Sequence, residues 1–461
     1  MTSLQVKNLT FTYQVEGEAV LRDLNFTLPT QKISLLIGQS GAGKSTFLKL
    51  LTGLYPEFGG QISQGQVLLD GQEVGIMCAA KRATKIALLF QNPRQQIVMT
   101  TFREQLHFIL ANLNLPLIEI NDRIKQVCQQ FNLTAFLDRD LLTLSGGELQ
   151  RVALASVVAM GSEIIILDEP FANIDLKERR RLLELLRDLQ VKQGKTILIC
   201  DHDLSDYQAY VDHVFQLDQT LHEVNRTILA EVKKPAVNLP LAPDLAGDLS
   251  WCNIELWAGK RQLVIDSSYR LGRGKIGLLS GQNGVGKSTF FKALIKQNSY
   301  HGKIIFDKQD LARTKAKKWA RLVGIVFQNS LDQFVKLTVA EELALSLKKS
   351  HHPEYWTPAR VQAVAQAFGL WDLNDQVCYQ LSGGQQKRLQ ILGMLIMSPP
   401  VLLLDEPFSG LDQVSLKPVL EALQTVTVDL QIATLVISHQ LMGITPYLDY
   451  QLRLEHQKLG W

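Results

Sequence analysis

Two glycine-rich loops in the chain have the spacing of a phosphate-binding loop. Each follows an apolar run, reads Gly-x-x-x-x-Gly-Lys-Ser-Thr and precedes a helical pattern. Glycines let backbone N–H groups converge on phosphate oxygens, and the N-terminal end of the next helix attracts the same negative charge. Lys44 and Lys287 can reach the β- and γ-phosphates, and Ser45 and Ser288 can ligate Mg²⁺. The predicted nucleotide-binding residues are Gly38, Gln39, Ser40, Gly41, Ala42, Gly43, Lys44, Ser45 and Thr46 in one loop and Gly281, Gln282, Asn283, Gly284, Val285, Gly286, Lys287, Ser288 and Thr289 in the other.

An Asp-Glu pair follows an apolar run in each half of the chain, as Asp168-Glu169 and Asp405-Glu406. At the carboxyl end of a parallel strand, the aspartate can hold Mg²⁺ through water. The glutamate can then orient or deprotonate an attacking water. Such a pair alone could be a solvated turn. Combined with a glycine loop in the same half, it indicates hydrolysis of a nucleoside triphosphate.

A Ser-Gly-Gly segment precedes a second helical pattern in each half. Its residues are Ser145, Gly146 and Gly147, and again Ser382, Gly383 and Gly384. The serine can simply cap the helix, but a serine and two glycines at a helix start also form an anion site. A second anion site in each half suggests that it completes the phosphate site of a partner domain.

Two histidines and one tyrosine are further candidates for nucleotide contact. His202 and His439 each lie 33 positions after the glutamate of their half, which favours a γ-phosphate contact over an isolated structural histidine. Tyr13 lies before the first loop, where its ring could stack on adenine. The same offset in the second half leads to Leu256, beside Trp257. Both aromatic residues could instead be packing residues.

The motifs recur in the same order because the chain is an internal repeat. The glycine-loop lysines are 243 positions apart, and the later motifs are 237 apart. Each copy alternates continuous apolar runs with helical patterns, which predicts an α/β domain with parallel strands. The helical stretch from about 101 to 160, and its counterpart, predicts a helical subdomain inserted in each copy. We predict domain 1 at 1–228, a proline-containing linker at 229–248 and domain 2 at 249–461.

Composition excludes several other classes of protein. The 461 residues are 46% apolar and 20% charged, which argues against disorder. The net charge of +3 gives no overall attraction to nucleic acid. Five scattered cysteines without a CxxC spacing argue against a disulfide scaffold or a zinc site. The chain has no signal-peptide pattern and no apolar run of about 18–20 residues, so we expect a soluble chain in a reducing compartment.

The order of motifs, over both copies, resembles the nucleotide-binding domains of ABC ATPases. The resemblance implies two tandem P-loop NTPase domains, paired head to tail, with two ATP molecules and Mg²⁺ between them. It places Asp175 and Asp412 in the loop between the sites. The implied catalytic residues are Glu169, Glu406, His202, His439, Gln91 and Gln328, and the implied Mg²⁺ ligands are Ser45, Asp168, Gln91, Ser288, Asp405 and Gln328. Ser382 and Gly384 would complete the first site, and Ser145 and Gly147 the second.

The segment that follows Gln91 and Gln328 distinguishes between subfamilies of ABC ATPases. Both copies read Phe-Gln-Asn-x-x-x-Gln-[Ile/Phe]-Val, starting at Phe90 and Phe327. This pattern resembles the ATPase components of energy-coupling factor transporters. It implies an ATPase at the cytoplasmic face of the membrane that energises import of a vitamin, a vitamin precursor or a metal ion. The implied partners are a transmembrane coupling protein, which contacts this segment, and a small membrane protein that captures the substrate. Ile97 and Val98 could instead be ordinary core residues.

Two other readings of the repeat remain open. One is a twin-cassette ATPase of a carbohydrate importer, which the glutamine segments and two complete catalytic sets disfavour. The other is a soluble twin-cassette ATPase acting on ribosomes, which the short linker and the low net charge disfavour. Glu148 departs from the family, which usually has glutamine there. Because both copies keep their glutamate and histidine, we predict two sites that hydrolyse ATP.

Overall fold

The chain divides into two compact units, Met1–Lys234 and Pro235–Trp461. The computed structural model describes residues 2–14, 17–39, 41–171, 174, 176–218, 220–230, 239–240, 247–259, 261–282, 284–438, 441 and 443–460. Ser40, Asp175, Asn283 and His439 therefore lie outside the described residues. So does most of the predicted linker, whose first residue, Leu229, is buried in the core of the first unit. The boundaries 1–228, 229–248 and 249–461 stay a prediction.

The elements of the two units follow one another in the same order. The first unit contains β1 (Leu4–Thr12), β2 (Ala19–Thr27), β3 (Ile33–Ile37), α1 (Lys44–Leu51), β4 (Gln61–Leu69), β5 (Gln72–Glu73), α2 (Ala79–Lys85), β6 (Ile86–Leu89), α3 (Phe102–Ala111), α4 (Leu117–Gln130), α5 (Gly146–Ala159), β7 (Ile164–Asp168), α6 (Leu176–Gln193), β8 (Thr196–Cys200), β9 (His213–Leu217) and β10 (Leu221–Val224). The second unit contains β11 (Leu249–Ala258), β12 (Arg261–Arg270), β13 (Lys275–Ser280), α7 (Lys287–Leu294), β14 (His301–Phe306), β15 (Gln309–Asp310), α8 (Ala316–Trp319), β16 (Val323–Val326), α9 (Val339–Lys348), α10 (Pro358–Ala367), α11 (Gly383–Met397), β17 (Val401–Asp405), α12 (Gln413–Asp429), β18 (Ala433–Ile437), β19 (Tyr450–Glu455) and β20 (Lys458–Gly460).

Each unit contains one antiparallel and one mainly parallel sheet. In the first unit the strand orders are β2-β1-β4-β5 and β10-β9-β3-β8-β7-β6, and only β10 is antiparallel within the larger sheet. In the second unit the orders are β12-β11-β14-β15 and β16-β17-β18-β13-β19-β20, again with one antiparallel strand, β20. The same topology in both units confirms the duplication.

The parallel strands are buried on both faces, which explains their continuous apolar runs. In β3, Ile33, Leu35 and Ile37 pack into the core that contains the helical subdomain, whereas Leu36 packs into the core beneath the antiparallel sheet. The subdomain itself lies where the sequence predicts it, with α3–α5 between β6 and β7 and α9–α11 between β16 and β17. Within the described part of the chain, no helix is both long enough and apolar enough to cross a membrane.

Neighbouring parallel strands end at one edge of each sheet. Asp168, the last residue of β7, pairs with Cys200, the last residue of β8, and Leu36 near the end of β3 also pairs with Cys200. The glycine loop follows β3, Glu169 follows β7 and His202 follows β8. This edge therefore brings together motifs that are far apart in the sequence, as is usual for ligand sites of α/β sheets.

Candidate functional site

Each glycine loop surrounds the ammonium group of its lysine. Lys44 Nζ donates to the carbonyl oxygens of Gly38 and Gln39, both at 2.7 Å. Lys287 Nζ does the same to Gly281 and Gln282, at 2.7 and 3.0 Å. At Gly38 a Cβ atom would lie 2.1 Å from a neighbouring backbone oxygen, so only glycine fits. The lysines are thus placed inside the loops that the sequence predicts to bind phosphates. The loop residues named above lie together, apart from Ser40 and Asn283, which are not described.

The serine of each loop contacts the aspartate at the end of the neighbouring strand. Ser288 Oγ donates to Asp405 Oδ1 at 3.1 Å, and Ser45 hydrogen-bonds Asp168. Burial, with the nearby charge of Glu169, raises the pKa of Asp168 to about 6, and burial also raises the pKa of Asp405. A cation beside these buried carboxylates would favour their charged form. Hydroxyl and carboxylate oxygens are the hard donors that Mg²⁺ prefers, and P-loop sites complete its shell with substrate phosphates. The two pairs therefore fit the predicted Mg²⁺ sites.

The two glutamates share an uncommon backbone conformation. Glu169 has φ +47° and Glu406 has φ +48°, in the left-handed region. Their backbone N–H groups donate to Cys200 O at 2.8 Å and to Ile437 O at 2.9 Å. Such local strain concentrates at functional sites. The conformation turns each glutamate away from its strand immediately after the candidate Mg²⁺ aspartate.

In the first copy, Glu169 lies between Gln91 and His202. Gln91 hydrogen-bonds its carboxylate, and His202 Nδ1 lies 3.5 Å from Oε1. Burial disfavours both charges, but the attraction between them outweighs burial: the pKa of Glu169 is lowered and that of His202 is raised to about 9. A protonated histidine beside an ionised glutamate is suited to contact a phosphate oxygen. His439 of the second copy is not described.

A buried polar cluster that the sequence analysis missed holds the backbone at His202. Asp201 Oδ1 accepts the His202 N–H at 2.8 Å, and its other oxygen accepts the Tyr207 hydroxyl at 2.7 Å. The Arg179 guanidinium lies 3.5 Å from Asp201 and also contacts Asp203. In the second copy, 237 positions later, the residues at 416, 438 and 444 are Leu416, Ser438 and Ile444. Comparing the copies position by position would have exposed this difference.

The Ser-Gly-Gly segments form helix starts. Helices α5 and α11 begin at Gly146 and Gly383, and Ser145 and Ser382 cap them. Glu148 and Gln385 complete a capping box in each copy. Gly147 and Gly384 lie in the first turns. The capped helix and the anion site are compatible readings, because the backbone N–H groups of the first turn point out of the helix end.

The adenine candidates have different surroundings in the two copies. The Tyr13 hydroxyl lies 2.6 Å from Thr46 Oγ1, and its ring packs edge-on against Tyr55. Trp257 packs edge-on against His301. Leu4 of β1 pairs with Leu69, and Leu249 of β11 pairs with Phe306, which is the equivalent of Leu69. Leu4 and Leu249 are therefore equivalent, and the offset between β1 and β11 is 245 rather than 243. The residue that aligns with Tyr13 is therefore Ala258, and the sequence offset pointed two positions too early.

Comparison with known proteins gives matches over nearly the whole chain. Residues 21–172 and 264–409 each match the family described as "ABC transporter". A Bacillus subtilis protein named "Putative HMP/thiamine import ATP-binding protein YkoD" is 31% identical, covering 99% of this chain and 91% of that protein. A Sulfurisphaera tokodaii protein named "Putative ABC transporter ATP-binding protein" is 29% identical, covering 97% and 95%. A solved structure of the archaeal ribosome recycling factor aABCE1 aligns with a TM-score of 0.63 at 21% identity, covering 98% and 89%, and shows the fold alone.

Proposed function

The chain belongs to the ABC transporter family and is an ATPase with two tandem domains, and from that premise we propose that it energises a membrane importer of the energy-coupling factor type. The proposed substrate is a vitamin, a vitamin precursor or a metal ion. The name of the Bacillus subtilis relative mentions HMP and thiamine, so these are the first substrates to test. The proposed place of action is the cytoplasmic face of the membrane, bound to a transmembrane coupling protein.

The observation that carries this proposal is an apolar surface beside the Gln91 segment. Ile97 packs against the core, as the core alternative predicted, but Val98 is 63% exposed. Leu142 is 75% exposed and lies close by, because Leu141 N donates to Thr100 O at 2.9 Å. Exposed apolar residues that cluster, rather than lie scattered singly, are typical of a docking surface.

The second copy has a similar surface, with Val335 at the position of Val98 and Leu337 in the place of Thr100. Val335 and Leu337 are 73% and 59% exposed, and Cys378 N donates to Leu337 O at 2.8 Å. Tyr379, at the position of Leu142, packs edge-on against Phe334 and is half exposed. Two matching apolar surfaces fit a partner that presents two apolar helices, as a transmembrane coupling protein would.

The proposed mechanism uses both copies at each ATP site. Lys44, Ser45, Asp168 and the glycine loop would bind MgATP, and bound Mg²⁺ would supply charge neutralisation of the phosphates. Glu169 would accept a proton from the attacking water, while His202 holds the γ-phosphate. Ser382 and Gly384 of the other copy would complete the site, so that ATP binding draws the two copies together and hydrolysis releases them. The second site would use the matching residues, with Ser145 and Gly147.

Charged substitutions on the apolar surfaces test the proposed partner. The chain is co-expressed with candidate transmembrane coupling proteins, and the complex is isolated in detergent and reconstituted for ATP-dependent uptake of labelled thiamine, HMP or metal ion. Val98→Glu with Val335→Glu should abolish co-purification and uptake, because a buried unpaired carboxylate costs several kcal/mol. Ile76→Glu with Val428→Glu, at exposed apolar residues elsewhere, should leave both unchanged. A complex that survives the first pair, or a wild-type chain that co-sediments with ribosomes, would contradict the proposal.

A further inference from the structure

Lys387 is a buried lysine in the second turn of helix α11, five residues after Ser382. Only 5% of its surface is exposed. Its ammonium donates to Gln328 O at 2.6 Å and to Phe327 O at 3.1 Å. Burying an ammonium group is costly unless it makes such bonds. The ammonium group is therefore hydrogen-bonded to two carbonyls of the loop that carries the predicted Mg²⁺ ligand Gln328.

Other side chains extend this contact into a network. Gln390 Nε2 donates to Phe327 O at 2.9 Å and to Gln333 Oε1 at 2.8 Å. Gln390 Oε1 accepts from Ser330 Oγ at 3.1 Å and lies 3.5 Å from Lys387 Nζ. Lys387, Gln390, Ser330 and Gln333, here called the Lys387 network, thus join α11 to the Gln328 loop along its length. The loop continues into Phe334 and Val335, at the apolar surface described above.

The first copy has different residues at the matching positions. Gln150 replaces Lys387, Ala153 replaces Gln390 and Pro93 replaces Ser330. The side chains of alanine and proline cannot hydrogen-bond, and the Gln150 amide donates to Glu169 O at 3.4 Å instead. In both copies a glutamine also holds the loop from within: Gln96 accepts from Phe90 N at 3.0 Å, and Gln333 accepts from Phe327 N at 3.3 Å. In the first copy Gln96 donates to Leu88 O at 2.7 Å, whereas in the second copy Gln333 accepts from Gln390.

We propose that Lys387 is a positioning residue of the second ATP site: it joins the Gln328 loop to helix α11 by hydrogen bonds that the first copy lacks, so that loop and helix are more strongly coupled in the second copy than in the first. The helix carries the Ser-Gly-Gly segment at its start, and the loop carries both Gln328 and the apolar surface. The two copies keep the same predicted catalytic residues, yet they transmit a change at their Mg²⁺ ligand to different neighbours. This inference concerns the ATPase itself and holds whatever partner the chain binds.

The test measures the second site alone, in the full chain with Glu169→Gln. Lys387→Gln, which introduces the residue of the first copy, should lower kcat about tenfold, because it removes charge-assisted hydrogen bonds. It should also raise the Mg²⁺ concentration for half-maximal activity, while binding of ATP in EDTA stays unchanged. Lys387→Arg keeps the charge and several donors, and should retain most of the wild-type values.

A second readout does not depend on hydrolysis. Hydrogen exchange of the peptide around 327–335 should be faster in Lys387→Gln than in the parent, without any nucleotide present. Gln390→Ala, the alanine of the first copy, removes part of the network without removing a charge and should produce the same changes to a smaller extent. It serves as the test if Lys387→Gln does not fold.

Gln386→Ala is the matched control on the same helix, because Gln386 donates to Cys378 O at 3.2 Å and not to the Gln328 loop. It should leave exchange at 327–335 and the Mg²⁺ requirement unchanged. Unchanged exchange and Mg²⁺ requirement in Lys387→Gln would overturn the inference. Equal losses in the glutamine and arginine variants together with lost ATP binding would also overturn it, because that outcome would mark Lys387 as a general core residue.

Discussion

His202 is a buried histidine whose neighbours favour its charged form. Burial alone would lower its pKa, but Glu169, Asp201 and Asp203 raise it to about 9. Asp201 is itself fixed by Tyr207 and Arg179. At the scale of single residues, the first copy therefore holds a cation at the predicted γ-phosphate position over the whole physiological pH range.

The pH dependence of this ion pair can be predicted with its sign. Because the folded pKa of His202 lies above the unfolded value of about 6.5, its protonation contributes stability that is lost as the pH rises through about 9. The pKa of Glu169 is lowered, so its contribution to the pair is lost at the acidic end, as the carboxylate becomes protonated. Asp201→Asn should lower the His202 pKa, and Glu169→Gln should lower it further, because the Glu169 carboxylate lies 3.5 Å from the ring nitrogen and is the larger favourable contribution. NMR titration of the histidine ring protons measures this.

The control for this titration is Glu223→Gln, which removes the carboxylate 2.7 Å from the partly buried His213. It should leave the midpoint of His202 where it is in the wild-type chain. If neither Asp201→Asn nor Glu169→Gln moves that midpoint, the electrostatic account of His202 is wrong.

At the scale of elements, the starts of α5 and α11 differ in charge. The first copy has Glu148, paired with Arg139 at 3.5 Å, and the second copy has Lys387 in the place of Gln150. The Ser145 hydroxyl donates to Glu148 Oε2 at 2.8 Å, whereas the matching capping residue, Gln385, is neutral. An acidic residue in the first turn stabilises a helix by about 0.3–1 kcal/mol. The same carboxylate repels any phosphate that approaches this helix end. Glu148 therefore stabilises helix α5 but weakens the binding of an anion at its start.

Glu148→Gln should lower the ATP concentration for half-maximal hydrolysis at the second site, which the Ser145 segment is proposed to complete. The measurement is steady-state hydrolysis in the Glu169→Gln chain, with a small loss of thermal stability expected from the weaker helix cap. Glu104→Gln is the matched control, since Glu104 forms the same capping box with Thr101 at the start of α3. It should reduce stability similarly without changing the ATP requirement. An unchanged ATP requirement in Glu148→Gln would contradict the proposed pairing.

The sequence predicted what is local and missed what is formed by distant residues. The glycine loops, the Asp-Glu pairs and the capped Ser-Gly-Gly helices depend on neighbouring residues, so their motifs indicate both element and position. Lys387 meets Gln328 across 59 positions, and Arg179 meets Asp201 across 22. No short motif encodes such contacts, although a polar residue on an otherwise apolar helix face was a usable signal. The antiparallel sheets also went unpredicted, because their half-exposed strands lack continuous apolar runs.

At the scale of the whole molecule, the two units share their predicted catalytic residues but differ in the side chains that hold those residues in place. Both units have the same strand order, the same left-handed glutamate and the same lysine contacts to the glycine loop. The first unit supports its histidine with a buried ionic cluster, and the second supports its glutamine loop with Lys387. Because the predicted catalytic residues are the same, we predict two active sites. Because the side chains that hold them differ, we predict that the two sites hydrolyse ATP at different rates.

Single and double glutamine variants test both statements. Glu169→Gln and Glu406→Gln should each lower the ATPase rate of the assembled complex, because each removes the proposed proton acceptor of one site, and the double variant should be nearly inactive. Two independent equal sites would leave about half the rate in each single variant. Unequal residual rates are expected from the different side chains around the two sites, and residual rates far below half would show that the sites hydrolyse ATP in a coupled cycle.

Glu163→Gln, at the other end of the β7 strand where Glu163 pairs with Lys85, is the control and should keep the full rate. Full activity in either single variant would mean that its site does not hydrolyse ATP, which would refute the prediction of two competent sites.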